Sequence, residues 1–111
     1  MTPNFNEALG LRLGEEGTVV LDPRPEHQVA PGVIHFAVLT TLAEVSAAGA
    51  VGGPVVPASV TIHLLERARL ATLVGRGRLL RRGKRFAVAE GEVTQDGRLV
   101  AKATVQYAML Q

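Results

Sequence analysis

The stretch from Gly32 to Ala50, GVIHFAVLTTLAEVSAAGA, is the longest apolar run in the chain and carries one formal charge, Glu44. Most of its residues are good helix formers. Pro31-Gly32 in front of it and Gly52-Gly53-Pro54 behind it stop the pattern at both ends. A surface helix would show a charged face, and this one has none, so it is expected to be buried on nearly all sides. It is not a membrane span: Thr40, Thr41, Glu44 and Ser46 interrupt it, and the uninterrupted apolar length falls short of about 18 residues.

Glu44 is therefore the residue to explain. A carboxylate on an apolar helix pays desolvation, and unless it is paired its pKa is expected to be pushed upward. Two readings are open. Glu44 either reaches a backbone amide or an Arg and holds two elements together, or it serves as a general base or nucleophile, as buried carboxylates do in active sites. His35 begins the same helix, where a histidine bonded to local backbone is the ordinary expectation. Nine residues separate it from Glu44, which is about 13.5 Å of helical rise and about half a turn. Those two side chains cannot meet within one chain, so a site using both needs a second copy of the protein.

With 111 residues the chain is long enough for one small domain, 1–111, and too short for two. Hydrophobic residues make up 47%, which excludes a disordered chain. A domain of this size buries a limited fraction of its surface, so a partner subunit would ease the burial of so apolar a helix. There are no cysteines, which excludes disulfides and thiolate metal sites. His27, His35 and His63 show no metal-ligand spacing, and no metal is expected. The N-terminal MTPNFNEALG lacks both a basic start and an apolar core, so the default location is cytoplasmic. Net charge is only +2 but uneven: residues 1–65 hold two Lys/Arg against six Asp/Glu, and residues 66–111 hold ten against four. An anionic partner is expected for the second half.

Along the chain, Phe5 to Leu9 reads as a short helical turn ending at Gly10. Leu11-Arg12-Leu13 leads to a strand at Thr18–Leu21, which Asp22-Pro23-Arg24-Pro25 ends because proline cannot continue a ladder. His27 to Pro31 reads as a loop delivering the chain to the helix. After Pro54 the period changes to alternation, with Val60, Ile62 and Leu64 on one strand face and Ser59, Thr61 and His63 on the other. Leu70–Leu80 reads as a second strand, where Gly75 and Gly77 mark a bulge or a close approach to the helix. Arg82-Gly83 turns into a strand at Arg85–Thr94, and Asp96-Gly97 is the strongest hairpin signal. In the last strand Leu99, Ala101, Ala103, Val105 and Tyr107 are expected inward, with Lys102, Thr104 and Gln106 outward. Ala87, Ala89 and Gly91 would let a helix backbone approach the sheet closely. The order is strand, long buried helix, then a meander of four strands. This is an α+β arrangement, with a five- to six-stranded antiparallel sheet wrapping one helix.

Over almost its whole length the chain resembles the hotdog-fold acyl-CoA thioesterases, in particular the phenylacetate-degradation type. The resemblance runs through Leu9-Gly10, Gly32-Val33-Ile34-His35, Leu42-Ala43-Glu44, Val60-Thr61 and Asp96-Gly97-Arg98-Leu99-Val100-Ala101. The family carries Gly-x-x-His-Gly-Gly and an acidic residue nine positions after the histidine, a spacing that Gly32, His35 and Glu44 keep. The resemblance implies a hydrolase of acyl-CoA thioesters with its sites at a dimer interface, the dimers often pairing into tetramers. Glu44 corresponds to the acidic residue that acts as nucleophile or as base for water. Phe36 corresponds to the helix-start residue whose N–H faces the thioester carbonyl, and His35 to the residue that holds that turn. An N–H exposed at a helix start stabilises a developing oxyanion. Two positions depart from the pattern. Phe36-Ala37 replaces the glycine pair, and Val29 stands where the family has a polar residue, with Gln28 beside it as a substitute partner.

The resemblance also gives a destination for the cations Arg76, Arg78, Arg81, Arg82, Lys84 and Arg85 around one turn. They are either ordinary solvated charge or a site for the phosphates of coenzyme A, with Arg82, Lys84 and Arg85 as candidates. Nucleic acid is disfavoured, because the run has no interleaved aromatics in a chain with only 4% of them. Gly32, Gln28 and Thr61 complete the substrate-binding candidates. Two functions are weighed. One is a thioesterase acting on small or medium acyl-CoA, aromatic acyl groups included, with coenzyme A present only as part of the substrate. The other is a hotdog module that binds an acyl-CoA or acyl-carrier thioester without hydrolysing it. Retention of Glu44 favours the enzyme.

Overall fold

The structure, a computed structural model, describes residues 2–110. Of the expected domain 1–111, Met1 and Gln111 lie outside the described residues. The chain forms α1 (Phe5–Leu9), β1 (Arg12–Leu13), β2 (Val19–Leu21), β3 (Gln28–Ala30), β4 (Val33–Ile34), α2 (Phe36–Val51), β5 (Val55–Leu64), β6 (Leu73–Arg82), β7 (Phe86–Gln95) and β8 (Arg98–Met109). Six strands make one antiparallel sheet in the order β1-β2-β6-β7-β8-β5, and β3 and β4 form a separate small ladder. The α+β hotdog arrangement expected from the sequence is the one observed, with α2 lying across the larger sheet.

What lets the helix lie there is a pair of glycines. Gly77 of β6 and Gly91 of β7 stand directly opposite each other in the ladder. A Cβ at Gly77 would overlap the Ser46 carbonyl, and one at Gly91 would overlap the Ala43 carbonyl. Helix backbone therefore rests on strand backbone. Around this contact α2 buries Val38, Leu39, Leu42, Ala43, Ser46, Ala47 and Val51. The facing strands supply small residues, Ala87 and Ala89 among them. The close approach expected at Gly75, Gly77 and Gly91 is thus present.

The helix is not buried on nearly all sides. One curled sheet covers only part of its circumference, and Thr40, Thr41, Glu44, Val45 and Ala48 remain half-buried. Thr40 and Thr41 turn their hydroxyls back onto the Phe36 and Ala37 carbonyls, each at 2.8 Å. The helix also starts later than the apolar run. Val33–Ile34 is strand, and His35 is an extended N-cap.

The turn Asp96-Gly97 joins β7 to β8 with positive φ at both residues (52° and 76°), as a tight two-residue hairpin requires. Alternation in β8 holds from Ala101 to Tyr107 and fails before it. The register shifts between Val93 and Thr94, so Val100 and Ala101 are both buried and Leu99 is only half-buried. The expected four-strand meander is also corrected: β6, β7 and β8 are neighbours, but β5 crosses to the far edge and pairs with β8. The connection from β5 to β6 passes the start of α2, where the Ala68 carbonyl accepts from Ile34 N–H at 2.8 Å. Buried Gln95 clamps it. Its Oε1 accepts from Arg69 N–H at 3.0 Å, and its Nε2 donates to the Arg69 and Ala71 carbonyls at 2.9 Å. That clamp holds residues 69–71 out of the ladder, so the second strand begins at Leu73 rather than Leu70.

The segment read as a loop, His27 to Pro31, is largely β3 paired with β4. His27 closes a short turn at Pro25–His27 and is buried. Its Nδ1 accepts from Arg24 N–H at 3.0 Å, and its carbonyl accepts from His35 N–H at 2.9 Å. Among the described residues no helix is long and apolar enough to cross a membrane.

Replacing Gly91 by Ala should destabilise the fold by about 1–3 kcal/mol, because the added methyl meets helix backbone that has nowhere to move. Urea denaturation of Gly91→Ala beside wild type measures this. A second expectation concerns pH. Burial, with the Arg24 charge beside it, holds the His27 imidazole below its ordinary 6.5. The unfolded chain therefore takes up a proton near that pH which the folded chain refuses until the solution is more acidic. Stability should fall as pH drops below 6.5 toward the lower folded value. His27→Asn should flatten that slope in urea midpoints collected from pH 8 to pH 5.

Candidate active site

The start of α2 is built from both sides. Ile34 N–H is held by the crossing segment, His35 N–H by the His27 carbonyl, and the His35 side chain then caps the helix. Its Nδ1 accepts from Ala37 N–H at 3.0 Å, so the neutral ring carries its proton on Nε2. This is the local backbone bond expected of a helix-start histidine. The His35 ring also stacks on Phe36, with centroids 4.8 Å apart. Phe36 N–H has no partner among the described residues, as the first N–H groups of a helix have none within it.

Beside this helix start lies an apolar cavity of about 400 Å³. Val29, Val33, Ile34, His35, Phe36 and Leu39 line one side. Leu64, Leu65, Glu66, Arg67 and Ala68, from the end of β5 and the crossing segment, line the other. Val29 is an apolar wall of this cavity, and the Phe36 ring, 56% exposed, is another. The second wall was not foreseen from the sequence. Its signal was the doublet Leu64-Leu65, which breaks the alternation of β5 at the point where the strand ends.

Glu44 does not line the cavity. Nine residues along α2, it lies about 13.5 Å of rise away from His35, half-buried on the helix flank. Its carboxylate has no ion pair among the described residues. Neither a backbone amide nor an Arg meets it. Instead Tyr107, fully buried on β8, brings its hydroxyl to 2.8 Å from Oε2 and 2.7 Å from the Glu44 main-chain oxygen. Burial, reinforced by Glu44, raises the Tyr107 phenol well above its ordinary value. The hydroxyl thus stays protonated and available as a donor. The sequence signal for this contact was the inward placement of the chain's single tyrosine, since a buried phenol needs a partner for its O–H.

The remaining candidates are dispersed. Gln28 spends its amide on local backbone, accepting from Gly32 N–H of the hairpin turn at 2.8 Å and donating to the Pro25 carbonyl of the preceding turn at 3.1 Å. Gly32 is the turn of that hairpin, with φ +78°. Thr61 pairs with Thr104 on the sheet face turned away from α2. Arg82 caps the other end of the helix, donating to the Val51 carbonyl at 2.8 Å, where a cation complements the helix dipole. Lys84 and Arg85 are exposed at the neighbouring turn. The length of α2, about 24 Å, separates these three cations from the cavity of their own chain. Arg78 is engaged by Glu90 across the strands. At the cavity itself the cation is Arg67, which has no ion pair among the described residues, whereas Glu66 beside it is held by Arg98. No group of three or more His, Asp or Glu side chains converges to hold a metal among the described residues.

A sequence model of the acyl-CoA thioesterase N-terminal domain family matches residues 24–108. No curated protein matches the chain. Among solved structures, the phenylacetic acid degradation protein PaaI of Thermus thermophilus is 29% identical, with 96% of this chain and 98% of that chain covered at a TM-score of 0.85. A conserved protein of Pseudomonas aeruginosa is 26% identical, with 99% and 96% covered and a TM-score of 0.85. A thioesterase of Haemophilus influenzae shares the fold at 18% identity, with 93% and 80% covered and a TM-score of 0.83. The match over residues 24–108 takes in α2, its capped start, the cavity walls and four strands of the larger sheet. This chain therefore belongs to the acyl-CoA thioesterase N-terminal domain family and is a thioester hydrolase of PaaI-like hotdog fold.

Proposed function

We propose that the chain hydrolyses acyl-CoA thioesters with a small to medium apolar acyl group, aromatic groups included. In this reading the Phe36 N–H is the oxyanion donor and Glu44 the base or nucleophile. The observation that carries it is the unpartnered Phe36 N–H at the start of a sixteen-residue helix, bordering an apolar cavity of about 400 Å³. A helix start concentrates partial positive charge where the thioester carbonyl develops negative charge. Cavities of this size suit a small organic group, and hydrocarbon walls favour an acyl chain or ring over a polar one. The stacked rings of His35 and Phe36 border the space, so the departure from glycine at Phe36 narrows the acyl choice.

In the chemistry proposed, Glu44 takes the proton of a water that attacks the carbonyl carbon, or attacks that carbon itself. The oxyanion forms against Phe36 N–H. Its collapse breaks the carbon–sulfur bond, and the coenzyme A thiolate leaves. Where Glu44 itself attacks, the mixed anhydride left on its carboxylate is then split by a water, which releases the carboxylic acid and restores Glu44. Since Glu44 and Phe36 of one chain are separated along α2, the reading requires two copies of the chain, Glu44 of one facing Phe36 of the other. The half-exposed apolar flank of α2 supports that requirement.

The test is hydrolysis of a panel of short, medium and aromatic acyl-CoAs by wild type and Glu44→Ala. Removal of Glu44 should lower kcat by about 10²–10⁴-fold. Undiminished activity in the variant would take Glu44 out of the mechanism, and coenzyme A binding without turnover of any thioester would favour the non-hydrolysing module. Arg67 is proposed to meet the phosphates of coenzyme A at the cavity mouth. Arg67→Glu should raise KM for acyl-CoA about tenfold, roughly one charge-assisted contact. It should leave KM for the matching N-acetylcysteamine thioester, which has no phosphate, near wild type.

A further inference from the structure

We propose that Tyr107 is a positioning residue for the Glu44 carboxylate, fixing its orientation through the O–H···Oε2 bond. The inference rests on the reading of Glu44 as base or nucleophile. Tyr107 is fully buried, and its hydroxyl lies 2.8 Å from Oε2 and 2.7 Å from the Glu44 carbonyl oxygen. One hydroxyl proton faces two acceptors, and which of them receives it depends on the charge of Glu44. With the carboxylate ionised, the charge-assisted bond to Oε2 is the stronger, and the carbonyl lies within the α-helix ladder. With Glu44 protonated, the carboxyl O–H can donate to Tyr107 Oη, and the phenol proton turns to the carbonyl. Both protonation states leave the Tyr107 hydroxyl hydrogen-bonded, by rotation about a single C–O bond.

The surroundings leave few other groups to set the charge of Glu44. No other residue of α2 is ionisable. The strand residues seated against the helix beside it, Gly77, Gly91, Ala89 and Val105, are uncharged. On β5, the residues on the helix side of the register, Val60 and Ile62, are likewise apolar. At the far end of the helix Arg82 is engaged by the Val51 carbonyl. Tyr107 is thus the titratable group that faces Glu44 among the described residues. A tyrosine in the core for packing alone would place its ring here. The additional bond to the side-chain oxygen is what a packing role does not require.

The experiment uses the full chain and the pH dependence of kcat/KM on an acyl-CoA that wild type hydrolyses. Tyr107→Phe keeps the ring and removes the donor. It should move the acid limb upward, since the carboxylate loses the donor that faces its Oε2. KM should stay near wild type. An acid limb that does not move in a folded Tyr107→Phe protein overturns the proposal. Because the chain has one tyrosine and no tryptophan, 3-fluorotyrosine incorporated in place of tyrosine alters this hydroxyl alone. Its more acidic phenol should shift the acid limb downward. No shift there also overturns the proposal, even if Tyr107→Phe does not fold. The same single tyrosine gives a readout without turnover: its fluorescence should titrate with Glu44 in wild type and lose that step in Glu44→Gln. Glu44→Gln with wild-type activity would remove the reading of Glu44 and this proposal with it. An inactive Glu44→Gln beside an unmoved acid limb in Tyr107→Phe would remove this proposal alone.

Discussion

Helix backbone against strand backbone at Gly77 and Gly91 is the contact on which the rest of the structure depends. Two glycines facing each other on adjacent strands make a bare patch, and the carbonyl groups of Ala43 and Ser46 lie directly over it. Side chains on either strand would lift α2 off the sheet by the thickness of a methyl group. Three features follow from the seat. The helix can be apolar and built largely of small residues, because the sheet closes tightly around its contact face. Glu44, next to Ala43, is carried to the edge of the seat, within reach of Tyr107 on β8. The helix start is set against the crossing segment, where the two walls of the cavity meet.

The two ends of α2 are finished differently, and the difference organises the electrostatics. At the start, His35 satisfies Ala37 N–H and leaves Phe36 N–H unpartnered beside hydrocarbon. At the finish, Arg82 donates to the Val51 carbonyl beside Gly52 and Gly53. Positive potential is thus left open at one end, and negative potential is neutralised at the other. On the sheet face away from the helix, Arg78, Glu90, Lys102 and Glu92 neutralise one another across three strands. The strongly basic second half of the sequence is therefore partly absorbed into internal pairs rather than presented as one patch.

Features written in local pattern were legible in the sequence. The apolar helix, the Asp96-Gly97 hairpin, the inward alternation from Ala101 to Tyr107, and the glycines of the close approach all follow from spacing or from a residue's backbone freedom. What stayed hidden depends on partners far apart in the chain. Nothing local in Val55–Leu64 says that it pairs with β8 instead of β6, since an alternating strand fits either neighbour. Arg82 looks like one more surface cation until the helix end is brought beside it. Gln95, an ordinary polar residue at the end of a strand, proves to hold residues 69–71 through three hydrogen bonds. At the site, the capping role of His35 could be read from its position. The cavity could not, because its second wall arrives about thirty residues later and only after the strand has crossed the molecule. The bond from Tyr107 to Glu44 spans 63 residues, beyond the reach of any periodicity.

The far-edge position of β5 bears on how the molecule is assembled. Among the described residues β5 has a single strand neighbour, β8, the last strand to be made. On a ribosome, the ten residues Val55–Leu64 emerge well before that neighbour exists, and β6, β7 and β8 can zip together as consecutive hairpins while they wait. During that interval Val56, Val60 and Leu64 travel as an unpaired apolar strand, the kind of segment that strays into aggregation. Pro57, which cannot donate to a ladder, interrupts that segment and makes it a poor template for stray pairing.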